Sequence, residues 1–454
     1  MDKELIRKYN VAGPRYTSYP TVPYWDGEQG FEISKWKTSV TKTFEATNDS
    51  EGISLYIHLP FCEKLCHFCG CNKKITRQHS VEDPYVARVL KEWDLYCEFL
   101  PQKPRLKEMH LGGGTPTFLS AENLHILISG ILDKSELVDS PEFSFEAHPN
   151  STSYDKLLAL HKLGFNRLSL GIQDFDPEVQ RVINRPQSFE EVKEVSDNAR
   201  EIGYTSVNYD LIFGLPKQTT ESIEHTILKT IELKPDRIAY YSYAHVPWMS
   251  LAQRLYSDED LPSNEYKRNL YELGKELLEK EGYLEIGMDH FALPDEDLSI
   301  AMKEGKMHRN FMGYSTAHTE LMIGLGVSSI GDSWGAFGQN VKTLKEYERL
   351  IDKGILPLFR GHFLNEEDLV LRKHILNLMC GFETTWDAVD NEIVDFTEIC
   401  SRLTEMEADG LCIIEENSLK VTDKGQGFVR NICMSFDLRL YRKAPTTSLF
   451  SQTV

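Results

Sequence analysis

No apolar run in this 454-residue chain reaches the length of a membrane span, and the opening Met-Asp-Lys-Glu-Leu-Ile-Arg-Lys has no apolar core of signal-peptide length. A cytoplasmic protein is expected. Basic charge is scarce: 50 Lys and Arg stand against 70 Asp and Glu, a net charge of −20, which argues against a nucleic-acid surface. An anionic ligand would need an arginine- or lysine-lined pocket inside an otherwise repelling field. Cysteine is sparse and odd in number. Of nine, Cys97, Cys380, Cys400, Cys412 and Cys433 are scattered without framework spacing, which excludes a disulfide-stapled secreted domain and fits a reducing compartment.

The other four crowd together in Cys62-Glu-Lys-Leu-Cys66-His-Phe68-Cys69-Gly-Cys71, directly after an apolar stretch ending His-Leu-Pro-Phe61. Soft sulfur ligands at close spacing select an iron–sulfur cluster or zinc. With Cys62, Cys66 and Cys69 as ligands of a four-iron cluster, one iron stays open to substrate or cofactor. With Cys71 as a fourth ligand, a closed zinc site results.

Length predicts two or three domains. Apolar runs of strand length fall at 53–59, 106–111, 143–147, 167–172, 206–213 and 237–243, with helical periodicity at 85–100, 121–132, 189–202 and 220–233. Strands alternating with helices imply an α/β fold around a parallel sheet, and a curled six-unit partial barrel fits. A long helix at 263–281, a strand at 284–291 and a loop-rich stretch at 293–315 follow. From 363 onward a smaller, mainly helical unit is expected, with helices near 366–379 and 395–407 and a hairpin turning at Glu416-Asn417-Ser418, a winged-helix-like pattern. The expected division is an arm over 1–50, a barrel with extension over 51–362 and a C-terminal unit over 363–454.

The strand ends carry more polar groups than packing needs: Gly112-Gly113-Gly114-Thr115 after the second, Glu146 on the third, Gln173-Asp174 on the fourth and Asp210 on the fifth. The glycines suit close backbone approach to a ligand, and barrel enzymes place their chemistry at the carboxyl ends of strands.

The C-x3-C-x2-C spacing, with Phe68 just before the third cysteine, resembles the radical S-adenosylmethionine (SAM) enzymes. The longer run Tyr56-Ile-His58-Leu-Pro60-Phe61-Cys62 through Lys73 resembles the cluster loop of the oxygen-independent coproporphyrinogen III oxidases. Gly13-Pro-Arg15-Tyr16-Thr-Ser-Tyr19-Pro-Thr21 is similar to their N-terminal arm. The likeness continues, in order, through Gly164-Phe-Asn-Arg-Leu-Ser, Gly214-Leu-Pro-Lys-Gln218, Gly287-Met-Asp-His290-Phe-Ala292, His308-Arg-Asn-Phe311 and Arg430-Asn-Ile-Cys433-Met.

That resemblance implies one 4Fe-4S cluster on Cys62, Cys66 and Cys69. It implies a first SAM positioned by Tyr56, Gly113, Glu146 and Ile330, and a second SAM near Phe68, Gly114, Thr115, Gln173, Arg185, Asp210 and Ala244. Cys71 becomes a catalytic non-ligand. The implied reaction converts the ring A and B propionates of coproporphyrinogen III to vinyl groups, giving protoporphyrinogen IX in heme biosynthesis. A donor such as flavodoxin or ferredoxin, an unidentified electron acceptor and a monomeric protein are expected. Arg15, Arg309 and Arg430 are candidate partners for the substrate carboxylates. The chain departs from the family at His148, where Asp is commoner, and at Ser435, where some members have cysteine. The alternative is a heme chaperone with the same core; Cys71 and the Tyr-Thr-Ser-Tyr-Pro arm argue against it.

Overall fold

The structure, a computed structural model, describes residues 3–27, 30–248, 250–443 and 450–453. Its centre is a sheet of twelve strands. Six are the expected units: β1 (Ile53–Leu59), β2 (Arg105–Gly113), β3 (Glu136–Ala147), β4 (Phe165–Gln173), β5 (Ser206–Phe213) and β6 (Arg237–Ser242). They lie side by side in chain order, all parallel, and form the partial barrel. The sequence of β1, Ile-Ser-Leu-Tyr-Ile-His-Leu, is buried at all but one position, as a parallel strand covered on both faces must be. Crossover helices begin on side-chain caps: Ser120 accepts from the Asn123 N–H, and Ser188 and Glu191 form a reciprocal capping box.

The remaining strands extend the sheet at both edges. Residues 284–291, expected as one strand, form a hairpin of β7 (Leu284–Gly287) and β8 (His290–Ala292), because Met288 and Asp289 adopt left-handed φ values of 40° and 50° and reverse the chain. β8 runs antiparallel to β6. On the other edge β9 (Met322–Leu325) adds a seventh parallel strand beside β1, followed by antiparallel β10 (Ile330–Asp332), β11 (Ala336–Asn340) and β12 (Leu358–Phe363). The stretch read as loop at 293–315 contains a helix, Asp297–Lys303, and a short hairpin, His308–Asn310 with Gly313–Ser315. These pieces are too short for a periodic signal.

The C-terminal region packs helices Glu366–Gly381, Phe396–Ala408 and Val429–Phe436 with a three-stranded sheet whose hairpin turns between Glu415 and Ser418, as read from the sequence. Its core also contains Tyr16 and Tyr19. The helix Ile33–Thr47 instead buries Trp36, Val40 and Phe44 in the barrel core. Leu5 and Tyr9 pack with Leu411 and Phe428 in a third, smaller cluster, so the first fifty residues contribute to three. Among the described residues no helix is long and apolar enough to cross a membrane.

Candidate active site

The cysteine loop leaves β1 and is closed at its base by a two-residue parallel ladder, Phe61–Cys62 against Lys74–Ile75. Its interior is pinned from outside. The His67 N–H donates to the Ile183 carbonyl (2.9 Å), Asn184 Nδ2 to the Leu65 carbonyl (2.8 Å), and Gln253 Nε2 to the carbonyls of Phe68 (3.0 Å) and Ala244 (3.3 Å). Lys73 Nζ closes the loop on itself, donating to the carbonyls of Cys69 (2.9 Å) and Cys71 (3.2 Å). The loop forms one wall of an open cavity of about 310 Å³.

Twelve of the fifteen residues singled out from the sequence line that cavity: Cys62, Cys66, Phe68, Cys69, Cys71, Gly113, Gly114, Thr115, Glu146, Gln173, Arg185 and Asp210. Parallel register makes this possible, since adjacent strands end at one rim. Asp210 sits opposite Gly171 of β4, and Glu146 opposite Ser169.

Three others do not line it. Tyr56 stacks on His110 at 6.1 Å with its hydroxyl 3.2 Å from His58 Nδ1, and its backbone pairs with Gly324, over which the Ile330 carbonyl lies. Ala244 is linked to Phe68 through Gln253, which donates to both carbonyls. The glycine triplet also differs from expectation. Only Gly113 has positive φ (110°), and a Cβ there would meet His58 at 2.6 Å, while one at Gly114 would meet Pro60 at 2.6 Å. The close approach these glycines permit is to the end of β1, and their backbone still faces the cavity.

The sulfur environment fits thiolate ligands of an anionic group. Thr115 Oγ1 donates to Cys62 Sγ (3.4 Å) and Arg185 Nη1 to Cys66 Sγ (3.4 Å). Burial pushes the Cys62 thiol up to about 11, with the Thr115 hydroxyl opposing it. The Cys71 S–H donates to Cys69, which lowers Cys69 and raises Cys71. Among the described residues no three Cys, His, Asp or Glu side chains converge on one ion. A four-iron cluster asks for a different geometry, one thiolate at each of three corners.

The same cavity is lined by two carboxylates with divergent properties. Burial pushes Glu146 up, but His110, the Gly113 N–H (3.1 Å) and His58 together hold it below the usual carboxylate range. Asp210 is raised to about 6 by burial and by the charge of Glu146, although Ser169 Oγ (3.0 Å) and Asn208 Nδ2 (2.9 Å) donate to it. His148 lines the same cavity; burial, Arg185 and Lys64 lower it to about 3, so it is a neutral imidazole whose Nδ1 accepts the Asn150 N–H. Asp174, next to Gln173, is not part of the site. It accepts from Gln218 and Thr226 and locks the end of β4 to the helix Thr220–Leu233.

Two of the arginines considered for substrate are already engaged. Arg430 donates to the carbonyls of Gly13, Pro14, Gln452 and Thr453, which corrects its reading as a free carboxylate partner. Arg15 is paired with Asp289 at 2.5 Å. Gln253, Lys73 and Asn184 were missed from the sequence. Gln253 lies 185 residues from the loop it holds, and no local pattern marks it. His110 had a usable signal: it stands two residues before Gly112 and therefore on the same strand face.

A family profile described as the radical SAM superfamily matches residues 56–229. Along its whole length the chain is similar to enzymes named oxygen-independent coproporphyrinogen III oxidase. It is 39% identical to that of Pseudomonas aeruginosa over 96% of this chain and 95% of the relative, and 40% identical to that of Escherichia coli K12 over 98% and 96%. The chain belongs to the oxygen-independent coproporphyrinogen III oxidase family. In structure it resembles the coproporphyrinogen III oxidase HemN of Escherichia coli, described as a radical SAM enzyme, with a TM-score of 0.88 over 96% of this chain and 98% of that one. Members of the radical SAM superfamily use a 4Fe-4S cluster and SAM, and this oxidase presents a fitting cysteine set.

Proposed function

We propose that this chain oxidatively decarboxylates coproporphyrinogen III, turning the ring A and B propionates into vinyls and yielding protoporphyrinogen IX. The observation that carries this reading is one cavity lined by Cys62, Cys66 and Cys69 together with Glu146, Arg185 and Asp210, in a full-length family match. Each propionate must lose a β-hydrogen atom, carbon dioxide and one electron. When bound, the cluster and SAM supply the 5′-deoxyadenosyl radical that takes the hydrogen atom.

The protein contributes position and exclusion of water. Cys62, Cys66 and Cys69 hold the cluster. Tyr56, Gly113, Glu146 and Ile330 orient a first SAM, Glu146 being the anionic acceptor for its amine. Phe68, Gly114, Thr115, Gln173, Arg185, Asp210 and Ala244 surround a second, with Arg185 available to its carboxylate. Cys71, beside Cys69, acts in catalysis without ligating iron. An electron donor such as ferredoxin or flavodoxin, an external acceptor, a monomeric protein and a reducing compartment complete the proposal. All nine cysteines being free supports the last of these. The division into an arm over 1–50, a barrel over 51–362 and a C-terminal unit over 363–454 belongs to the same reading.

Anaerobic reconstitution with iron and sulfide, followed by a product assay on coproporphyrinogen III, tests it. Protoporphyrinogen formed with consumption of SAM is the expected result. Stable heme binding without decarboxylation would favour the chaperone reading instead.

A further inference from the structure

Arg309 is 4% exposed, yet two of its guanidinium nitrogens, Nε and Nη1, have no protein acceptor. Only Nη2 is used, donating to the Arg15 carbonyl at 3.3 Å. Its neighbours show what a structural arginine looks like here. Arg372 is bidentate to Asp332 (2.6 and 3.0 Å) and also donates to the Trp334 carbonyl, while Arg430 reaches four carbonyls. Leaving a buried donor unpaired is costly, and most so for a charged group. Packing does not require that cost, since the guanidinium already stacks over its cross-strand partner Tyr314 at 4.5 Å.

The surroundings point to an anion. The Arg15 guanidinium lies 5.7 Å over the ring of Tyr241, and Tyr241 lines the cavity. The Tyr241 hydroxyl in turn lies 3.5 Å from Nε2 of His290, whose ring meets Tyr241 edge-on. Arg15 is held by Asp289, which sits at the tip of the β7–β8 hairpin, where Met288 and Asp289 both adopt left-handed backbone. Neither residue type relieves the strain as glycine would, and such strain persists where surrounding structure or function demands it. A carboxylate is thus already presented to one of the two arginines.

We propose that Arg309 and Arg15 form a subsite for one propionate carboxylate of the substrate, with the Asp289 carboxylate holding Arg15 in its place until the substrate arrives. The subsite rests on the reading of coproporphyrinogen, a tetracarboxylate, as the substrate. It gives the arm a role, since Arg15 lies on the arm and Arg309 beneath it. The crevice that Arg309 shares with Tyr16 to Tyr19 holds about 10 Å³, one water's worth of space, so admitting a carboxylate requires Tyr16 to Tyr19 to shift while Arg15 keeps its place over Tyr241.

The test uses reconstituted full-length enzyme titrated with coproporphyrin III, the stable oxidised tetracarboxylate, by fluorescence quenching. The tetramethyl ester is the uncharged control. Arg309→Gln should weaken coproporphyrin binding at least tenfold and raise the KM for coproporphyrinogen more than it lowers kcat, with the ester unaffected. Asp289→Asn should tighten coproporphyrin binding two- to fivefold by removing the competing carboxylate. Iron content and melting temperature report the fold of each variant. Coproporphyrin affinity within twofold of wild type in Arg309→Gln overturns the subsite, and so does weakened binding in Asp289→Asn, the variant that decides if Arg309→Gln fails to fold. Wild-type enzyme that neither binds coproporphyrin nor converts coproporphyrinogen overturns the function itself, a result distinct from wild-type turnover with an indifferent Arg309.

Discussion

Single side chains make the sharpest claims. Each of the three cysteines proposed as ligands should be indispensable, so Cys62→Ala, Cys66→Ala or Cys69→Ala, purified without oxygen, should lose the bound iron and SAM cleavage together; a full iron complement in Cys66→Ala would refute the assignment. Cys71 touches Cys69 through its thiol but is read as no ligand, so Cys71→Ser should keep iron and sulfide near wild type and lose most decarboxylation. Iron content and product formed on the same preparation separate the two roles. Asp210 makes a pH prediction. Its folded value of about 6 lies above the ordinary 3.8, so its carboxylate is fully available as an acceptor only above pH 6. SAM affinity should fall between pH 7 and 5, and Asp210→Asn should abolish that acid limb while weakening binding about tenfold, the loss of one charged hydrogen bond. Anaerobic calorimetric titration across pH reads both effects.

At the scale of elements, the loop between β9 and β10 is tied to the helix Glu82–Cys97 by one buried carboxylate. Glu92 accepts from the Gly326 N–H (2.8 Å), Tyr347 Oη (2.7 Å) and Asn340 Nδ2 (2.6 Å). Glu92→Ala would take the acceptor from the Gly326 and Tyr347 donors, a cost of about 3 kcal/mol that should lower the melting temperature clearly. Burial raises Glu92 from 4.5 to about 7. Between those values the folded protein keeps a proton that the unfolded chain has lost, so this group's contribution to stability falls as pH rises from 4.5 to 7. Glu92→Gln, which cannot titrate, should flatten the melting temperature over that range. The six barrel strands were legible because each is a near-continuous apolar run bounded by turns. β9 was not: four residues, Met-Ile-Gly-Leu, become a strand only because the edge of β1 offers them a ladder. The β7–β8 hairpin was hidden for the opposite reason, since its turn signal, Gly287 and Asp289 around a methionine, sits inside an otherwise continuous strand pattern.

Across the whole molecule the two chain ends meet. Arg430 gathers carbonyls from residues 13–14 and 452–453, and Tyr16 and Tyr19 bury themselves in the C-terminal core, each contributing about 2 kcal/mol. The arm is therefore held by the far end of the chain while it reaches toward the cavity through Arg15. Arg430→Ala should loosen the arm without touching the cysteine loop: iron content unchanged, decarboxylation reduced at least tenfold, and rapid proteolytic cleavage within the first 27 residues. Wild-type resistance to protease in that variant would show that the tyrosines alone hold the arm.

The crowding of four cysteines, the order of strands and the family were all readable from residues in a row, because cysteine spacing, apolar runs and turn residues are local properties. Twelve of the fifteen singled-out residues proved to line one cavity, since parallel strands bring their carboxyl ends to a common rim whatever their separation in sequence. Only tertiary structure decided which arginines are committed and which is not. Arg430 and Arg309 are equally plausible as sequence, yet one meets four carbonyls and the other leaves two nitrogens unpaired. Partners contributed by residues hundreds of positions away have no signature in the local chain, and whether a buried charge is satisfied depends entirely on them.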